Sequence, residues 1–222
     1  MNIAILGGTG DIGQGLALRW AADTTHTIRI GSRKEAKAKR AVAEYEELLI
    51  DRGLSAPISG HQNLAAARSA SVVVLAVPPY YAADVAEEVL KELVSDAILV
   101  TPAVGMSKDE DGFSYDPPPA GSVTQHVRHA VPADIPVVGT FHNLPAGRLA
   151  DLDADLGIDT LVIGDDPAAK TTVIGLADEI RGLRALDAGP MGNAPEIEAF
   201  APLLINVATY NDGLHDLGVR FR

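Results

Sequence analysis

The sequence predicts an α/β fold in which a mainly parallel sheet is wound with helices on both faces. Three observations support this. Strand-like and helix-like segments alternate through most of the chain, the pattern of a parallel sheet covered on both sides. The first apolar run ends in glycines that open directly into a helix. The run Val72 to Val77 is rich in β-branched residues and free of charge, as a central strand buried on both faces should be.

Taken in order, Ile3 to Gly7 is a short apolar strand, and Gly15 to Ala22 is the helix after it, with Leu16, Leu18 and Trp20 as packing surface. Thr27 to Ile30 forms a second strand that closes on Gly31-Ser32-Arg33. Lys34 to Ile50 places Ala38, Val42, Tyr45 and Leu49 three or four residues apart among charges, so it is a surface helix with one face on the core. Val72 to Val77 follows as a strand, Ala82 to Val94 as a helix and Ile98 to Thr101 as another strand. Lys108 to Gly121 is polar and contains Pro117-Pro118-Pro119, which predicts a long surface excursion without regular structure. Strands resume at Val137 to His142 and at Thr160 to Ile163. Asp166-Pro167 supplies an N-cap and a proline at the first helical position, for a helix running to about Gly182. Leu183 to Leu186 makes a last strand that turns at Asp187-Ala188-Gly189-Pro190. From Pro195 to Leu217 the pattern is helical, with Pro202 expected to kink or split it.

Composition excludes several classes of function. The 222 residues, 47% of them hydrophobic, suffice for one globular unit with a sizeable core. With 30 acidic against 18 basic side chains the formal charge is −12, which repels phosphate backbones and anionic lipid, so no nucleic-acid partner is expected. The lack of cysteine removes disulfides, thiolate metal sites and thiol nucleophiles. His126 and His129 stand three apart without a nearby Glu, so no metal site is expected. No apolar run is long enough for membrane insertion, and Met1-Asn2 leads into a strand without a basic leader, which together predict a cytoplasmic protein.

Gly8-Thr9-Gly10-Asp11-Ile12-Gly13 fits GxGxxG and lies where the dinucleotide fingerprint of a Rossmann-type fold belongs, after the first strand and at the head of the first helix. Glycines allow the tight turn and close backbone approach, and the helix N-terminus aims amide donors at a pyrophosphate. At the end of the second strand, where an NAD site places a carboxylate on the ribose, this chain has Ser32-Arg33-Lys34, with Lys37 one turn on. A guanidinium, a hydroxyl and an ammonium suit a 2′-phosphate, so the expected dinucleotide is NADP.

Together the residues resemble a known family, the F420-dependent NADP oxidoreductases (NADPH:coenzyme F420 reductases), nearly end to end. The carriers are Gly7-Gly8-Thr9-Gly10 with Gly13 and Gly15, Gly31-Ser32-Arg33 with Lys37, Val77-Pro78, and Phe141-His142-Asn143-Leu144-Pro145-Ala146. Gly164-Asp165-Asp166, Leu186-Asp187-Ala188-Gly189-Pro190 and Leu217-Gly218 continue the likeness. The resemblance implies reversible hydride transfer between NADPH and the deazaflavin coenzyme F420 by a cytoplasmic homodimer. It implies that Thr9 to Ile12 contact pyrophosphate and ribose, and that Ser32, Arg33 and Lys37 hold the 2′-phosphate. It implies further that Val77, Pro78, Val104 and Met106 wall the nicotinamide, that His142, Leu144 and Ala146 lie between the two cofactors, and that Leu217 touches the deazaflavin. Residues 1–190 are then an extended NADP-binding domain, and 191–222 a helical segment contributing to the second-cofactor pocket. Three positions depart from the family pattern: Asp11 stands where an amide is usual, Asn143 where a small hydroxyl residue is expected, and Pro79-Tyr80-Tyr81 where a Trp-containing stretch is familiar.

Direct hydride transfer needs no nucleophile, metal or general base from the protein, only two rings held together in a dry cleft. His142 is then either an orienting or charge-stabilising group or a satisfied structural histidine. Two other readings stay open: an NADPH-dependent reductase of another acceptor, such as a flavin, ferric chelate or small carbonyl or imine, and a non-catalytic NADP-sensing protein. Tyr80-Tyr81 lacks the lysine four residues later that a short-chain dehydrogenase would pair with its tyrosine.

Overall fold

The computed structural model describes residues 1–222. The chain alternates as expected: β1 (Asn2–Leu6), α1 (Asp11–Asp23), β2 (Thr27–Ser32), α2 (Glu35–Ile50), β3 (Ile58–Gln62), α3 (Asn63–Ala67), β4 (Val72–Leu75), α4 (Ala82–Val89) and β5 (Ile98–Thr101). There follow β6 (Met106–Asp109), β7 (Gly112–Tyr115), α5 (Val123–Ala130), β8 (Val137–Gly139), α6 (Ala146–Ala150), β9 (Ile158–Val162), α7 (Pro167–Asp178), β10 (Leu183–Asp187), α8 (Ala194–Glu198) and α9 (Phe200–Thr209). Six strands form one sheet in the order β3-β2-β1-β4-β5-β8, every neighbouring pair parallel. This is the doubly wound Rossmann arrangement, with its topological switch between β1 and β4. β9 and β10 form a separate parallel pair, joined to β8 by an antiparallel bridge between Gly139 and Ile163.

The strand alternation sorts the core. Ile3, Ile5, Ile28, Ile30, Val72 and Val74 face α1, α2 and α7, where Trp20, Tyr45, Leu49 and Val173 complete one apolar layer. Ala4, Leu6, Val73, Leu75 and Leu99 face the opposite way, onto Ala66, Ala86, Val89 and Val127 of α3, α4 and α5. Both sheet faces are therefore covered, which is why Val72–Leu75 carries no polar residue.

Three sequence expectations are corrected. The polar stretch from Lys108 is not an irregular excursion throughout, because Met106–Asp109 and Gly112–Tyr115 pair as an antiparallel hairpin about Glu110 and Asp111. All of β6 is exposed, so its charges conceal the strand. The helix expected to reach Leu217 ends at Thr209, and the chain then turns back along β9, where Val219 accepts from the Asp159 amide at 2.7 Å. The buried Asp159 carboxylate secures this return: it takes Arg184 Nε at 2.8 Å and the Phe221 amide at 2.6 Å, and Arg184 holds its pKa below the ordinary carboxylate value. The break expected at Pro202 falls instead at Ala199, between α8 and α9. Pro202 sits in the first turn of α9, where a missing N–H costs nothing. The sequence reading also passed over β3, α3 and α5, all short elements. No helix is long and apolar enough to cross a membrane.

Candidate active site

β1 ends at the centre of the sheet, and the turn that follows is made possible by two glycines. Gly7 adopts φ +77°, and a side chain there would run into the Ala76 carbonyl. At Gly13 an added Cβ would lie 2.6 Å from Gly8 Cα and 2.8 Å from the Gly7 carbonyl oxygen. Helix α1 can thus sit directly on the turn. Gly10 is its N-cap and no side chain caps it, leaving the first amides free for an anionic ligand. A partner that sequence reasoning missed braces the turn: Tyr45 on α2 donates its hydroxyl to the Gly8 carbonyl at 2.7 Å. Burial pushes the Tyr45 phenol up to about 12, so it stays a donor.

Ser32 ends β2, Arg33 follows it, and Lys37 stands in the first turn of α2, all at the same edge of the sheet. Ser32 is nearly buried, whereas Arg33 and Lys37 are exposed and neither enters an ion pair. The Arg33 guanidinium lies 5.9 Å from the ring centroid of Tyr81, which stands after β4. Two cations without acidic partners, in a chain with an acidic excess, form a natural place for a phosphoryl group.

Beside the turn opens a cleft of about 850 Å³, predominantly apolar, at the C-terminal ends of β4, β5 and β8. It brings together Gly10, Asp11, Ile12, Val77, Pro78, Val104, Met106, His142, Leu144, Ala146 and Leu217. Gly8, Thr9 and Gly13 belong to the adjoining turn, and Ser32, Arg33 and Lys37 lie beyond the cleft at the end of β2. The far wall comes from residues the sequence reading did not single out: Ala201, Leu204, Ile205 and Ala208 of α9, and Leu214 to Asp216 of the returning tail.

The segment after β8 carries the site's one buried imidazole. Phe141 takes φ +68°, a left-handed conformation that costs a non-glycine residue on the order of 1–3 kcal/mol. Its ring is anchored edge-on to Trp20, centroids 5.8 Å apart, and its amide donates to Thr160 Oγ1 at 3.1 Å. Asn143 donates through Nδ2 to the Asp159 carbonyl at 2.7 Å, and its Oδ1 accepts from Thr160 at 3.3 Å. Between these pins the His142 side chain is wholly buried, neither ring nitrogen has a hydrogen-bond partner, and its Nε2 lies 4.0 Å from Glu198 Oε1. Burial pushes the imidazole down to about 3, so it is neutral. The cleft thus holds a neutral imidazole on its wall.

Helix α6, which follows directly, is held by a group with no sequence signature. Arg19 of α1 is fully buried and donates to the carbonyls of Leu149 (2.9 Å), Arg148 (3.0 Å), Asp151 (2.5 Å) and Ala154 (3.0 Å). Helix α1, whose uncapped N-terminus borders the cleft, thus also fixes the helix that begins at Ala146, two residues after Leu144.

A family profile for coenzyme F420-dependent NADP oxidoreductases matches residues 2–105. The F420-dependent NADP reductase of Methanocaldococcus jannaschii is 41% identical over 212 residues, spanning 93% of this chain and 92% of that one. The enzyme of the same name from Methanothermobacter thermautotrophicus is 34% identical, spanning 99% and 94%. A crystal structure of an Arthrobacter sp. FB24 protein superposes with TM-score 0.79 over 100% of this chain and 99% of that one, at 23% identity, which shows the common fold. On the strength of its likeness to the two curated reductases, at 41% and 34% identity over nearly the whole of each chain, the chain belongs to the family of coenzyme F420-dependent NADP oxidoreductases.

Proposed function

We propose that this protein is a cytoplasmic enzyme that transfers hydride reversibly between NADPH and the deazaflavin coenzyme F420. The observation that carries this reading is the apolar cleft that adjoins an uncapped helix N-terminus and an unpaired cationic corner and is closed by the C-terminal segment. The curated relatives named as F420-dependent NADP reductases support it along their full length.

The residues fit both ligands. Arg33 and Lys37 have no acidic partner to displace and, with Ser32, would hold the 2′-phosphate, while the amides of Thr9, Asp11, Ile12 and Gly13 would take the pyrophosphate, that of Gly10 being spent on the Gly7 carbonyl. Val77, Pro78, Val104 and Met106 would flank the nicotinamide, and Leu144, Ala146 and Leu217 the deazaflavin. The orphaned nitrogens of His142 mark where a polar ring edge would find its one directional contact in an apolar wall. When bound, the two rings supply the hydride donor and acceptor. The chain positions them and excludes water, and such positioning is worth about 7–11 kcal/mol of barrier at best. On this reading residues 1–190 bind the dinucleotide and 191–222 complete the second-ring pocket.

The test is to mix the purified protein with NADPH and oxidised F420 and follow loss of the deazaflavin's visible absorbance, with NADH and flavin mononucleotide as controls. Turnover of flavin without turnover of F420 would transfer the assignment to another acceptor. In the same assay Arg33→Ala should weaken NADPH by about 1.5–3 kcal/mol, the worth of a charge-assisted hydrogen bond, and NADH hardly at all. Equal losses for both dinucleotides would remove the phosphate pocket from this corner.

The homodimer is part of the same proposal. Helix α9 is apolar almost throughout yet buries only Ala201 and Pro202 within the chain, leaving Leu203 54% and Tyr210 65% exposed. A second copy of the chain is the expected cover. Sedimentation should give twice the 23.2 kDa chain mass, and Leu203→Lys should shift the protein toward monomer.

A further inference from the structure

Glu198 of α8 is a fully buried carboxylate that no sequence motif marks. It accepts from the amides of Val123 and Thr124, both at 2.9 Å, from Thr124 Oγ1 at 2.7 Å and from the Tyr115 hydroxyl at 3.2 Å. Two of these donors are the first amides of α5, so capping that helix is the simplest account. Yet α5 already has a cap, for Ser122 Oγ accepts from the Gln125 amide at 3.0 Å. Ser122 takes only the Gln125 amide and leaves those of Val123 and Thr124 to Glu198, yet a neutral acceptor would serve them equally, and a buried carboxylate is costly to retain. His142 also stands beside it, its Nε2 4.0 Å from Oε1.

The chemistry of the pair limits its arrangement. An ionised carboxylate only accepts, and a neutral imidazole carries one N–H and one bare lone pair. Burial raises the Glu198 pKa, but its four donors favour the ionised form; a lone pair facing that carboxylate would be repelled, which favours the hydrogen on Nε2 and a bare Nδ1. We infer that Glu198 is a positioning residue for the hydride-transfer site, fixing His142 in the Nε2-protonated tautomer and holding its ring in one stance. The inference rests on the proposed function for its catalytic consequence but not for its structural content. It links the C-terminal segment, the β6–β7 hairpin through Tyr115, and the Phe141 corner in one buried cluster.

The ring tautomer can be read without substrate. In full-length protein labelled with 15N-histidine, long-range 1H–15N spectra distinguish protonated from bare ring nitrogens, and His142→Gln assigns the His142 signals. The expected result is Nε2–H in the wild type and loss of that preference in Glu198→Gln. In turnover with NADPH and F420, Glu198→Gln should lose about 10- to 100-fold in kcat, as when the partner orienting a functional histidine is removed elsewhere, with KM for NADPH little changed. Ser122→Ala, which weakens the same helix end, should lower stability and leave both the tautomer and kcat alone. An Nδ1–H tautomer in the wild type overturns the inference even if Glu198→Gln fails to fold, as does an unchanged tautomer in a folded Glu198→Gln. A correct tautomer in a protein inert toward F420 would instead overturn the proposed acceptor and leave the Glu198–His142 assignment standing.

Discussion

Replacing Arg19 by methionine is expected to destabilise the protein by about 3 kcal/mol, the cost of leaving several buried carbonyls without donors net of the desolvation relieved by removing the charge. The substitution keeps most of the aliphatic stem and deletes the guanidinium, so lost packing contributes little. What remains is the carbonyls of Arg148, Leu149 and Ala154, gathered around the end of α6 without the guanidinium they accept from, while that of Asp151 keeps only the Ala154 amide. For a chain of this size the loss corresponds to a fall in Tm of about 6–12 °C. A thermal or urea unfolding curve measures it. A shift of under one degree would mean that α6 is secured by its apolar contacts alone. Because α6 begins at Ala146, two residues after Leu144, the surviving folded fraction should also bind the second ring less well.

Gly13→Ala should produce the largest effect on dinucleotide binding. Its Cβ has no flexible side chain to push aside: the obstacles, at 2.6 and 2.8 Å, are the backbone of Gly8 and Gly7. Relief requires α1 to lift off the turn, and the amides that face a pyrophosphate lift with it. Overpacking of this kind costs about 1–3 kcal/mol in stability. The loss of aligned backbone donors should weaken NADP by about 3 kcal/mol or more, roughly 100-fold. Calorimetric titration with NADP+ and with NAD+ checks it, and both should suffer alike because the pyrophosphate is common to them. That symmetry separates this variant from Arg33→Ala, whose effect depends on the extra phosphate.

Residues whose role depends on near neighbours in the chain were legible in the sequence. The phosphate turn, the apolar stripe Ala38-Val42-Tyr45-Leu49 and the Asp166 cap, whose Oδ1 accepts from the Ala169 amide at 2.8 Å, each follow from local spacing. The cleft residues from Val77 to Leu217 were found through motif likeness, since nothing in an apolar residue's spacing says that it lines a pocket. The hairpin at Met106 was hidden because both strands are short and one is exposed along its whole length. Tyr45 is legible in the sequence only as a core residue, and Arg19 and Glu198 carry no local signal at all. Their partners lie 37, 130 and 74 residues away, so their hydrogen bonds exist only once the sheet order is fixed. His142 is intermediate: a motif points to it, but its neutrality and its proximity to Glu198 come from burial.

The left-handed corner at Phe141 sets a conflict between durability and address. Asparagine or glycine would sit more comfortably at that φ, and selection for heat resistance alone would favour them. Either replacement would discard the aromatic contact with Trp20 that holds the corner against the core, and the imidazole one residue on would lose its fixed location. The protein therefore carries a permanent local tension there, and a campaign to harden it should leave that position untouched.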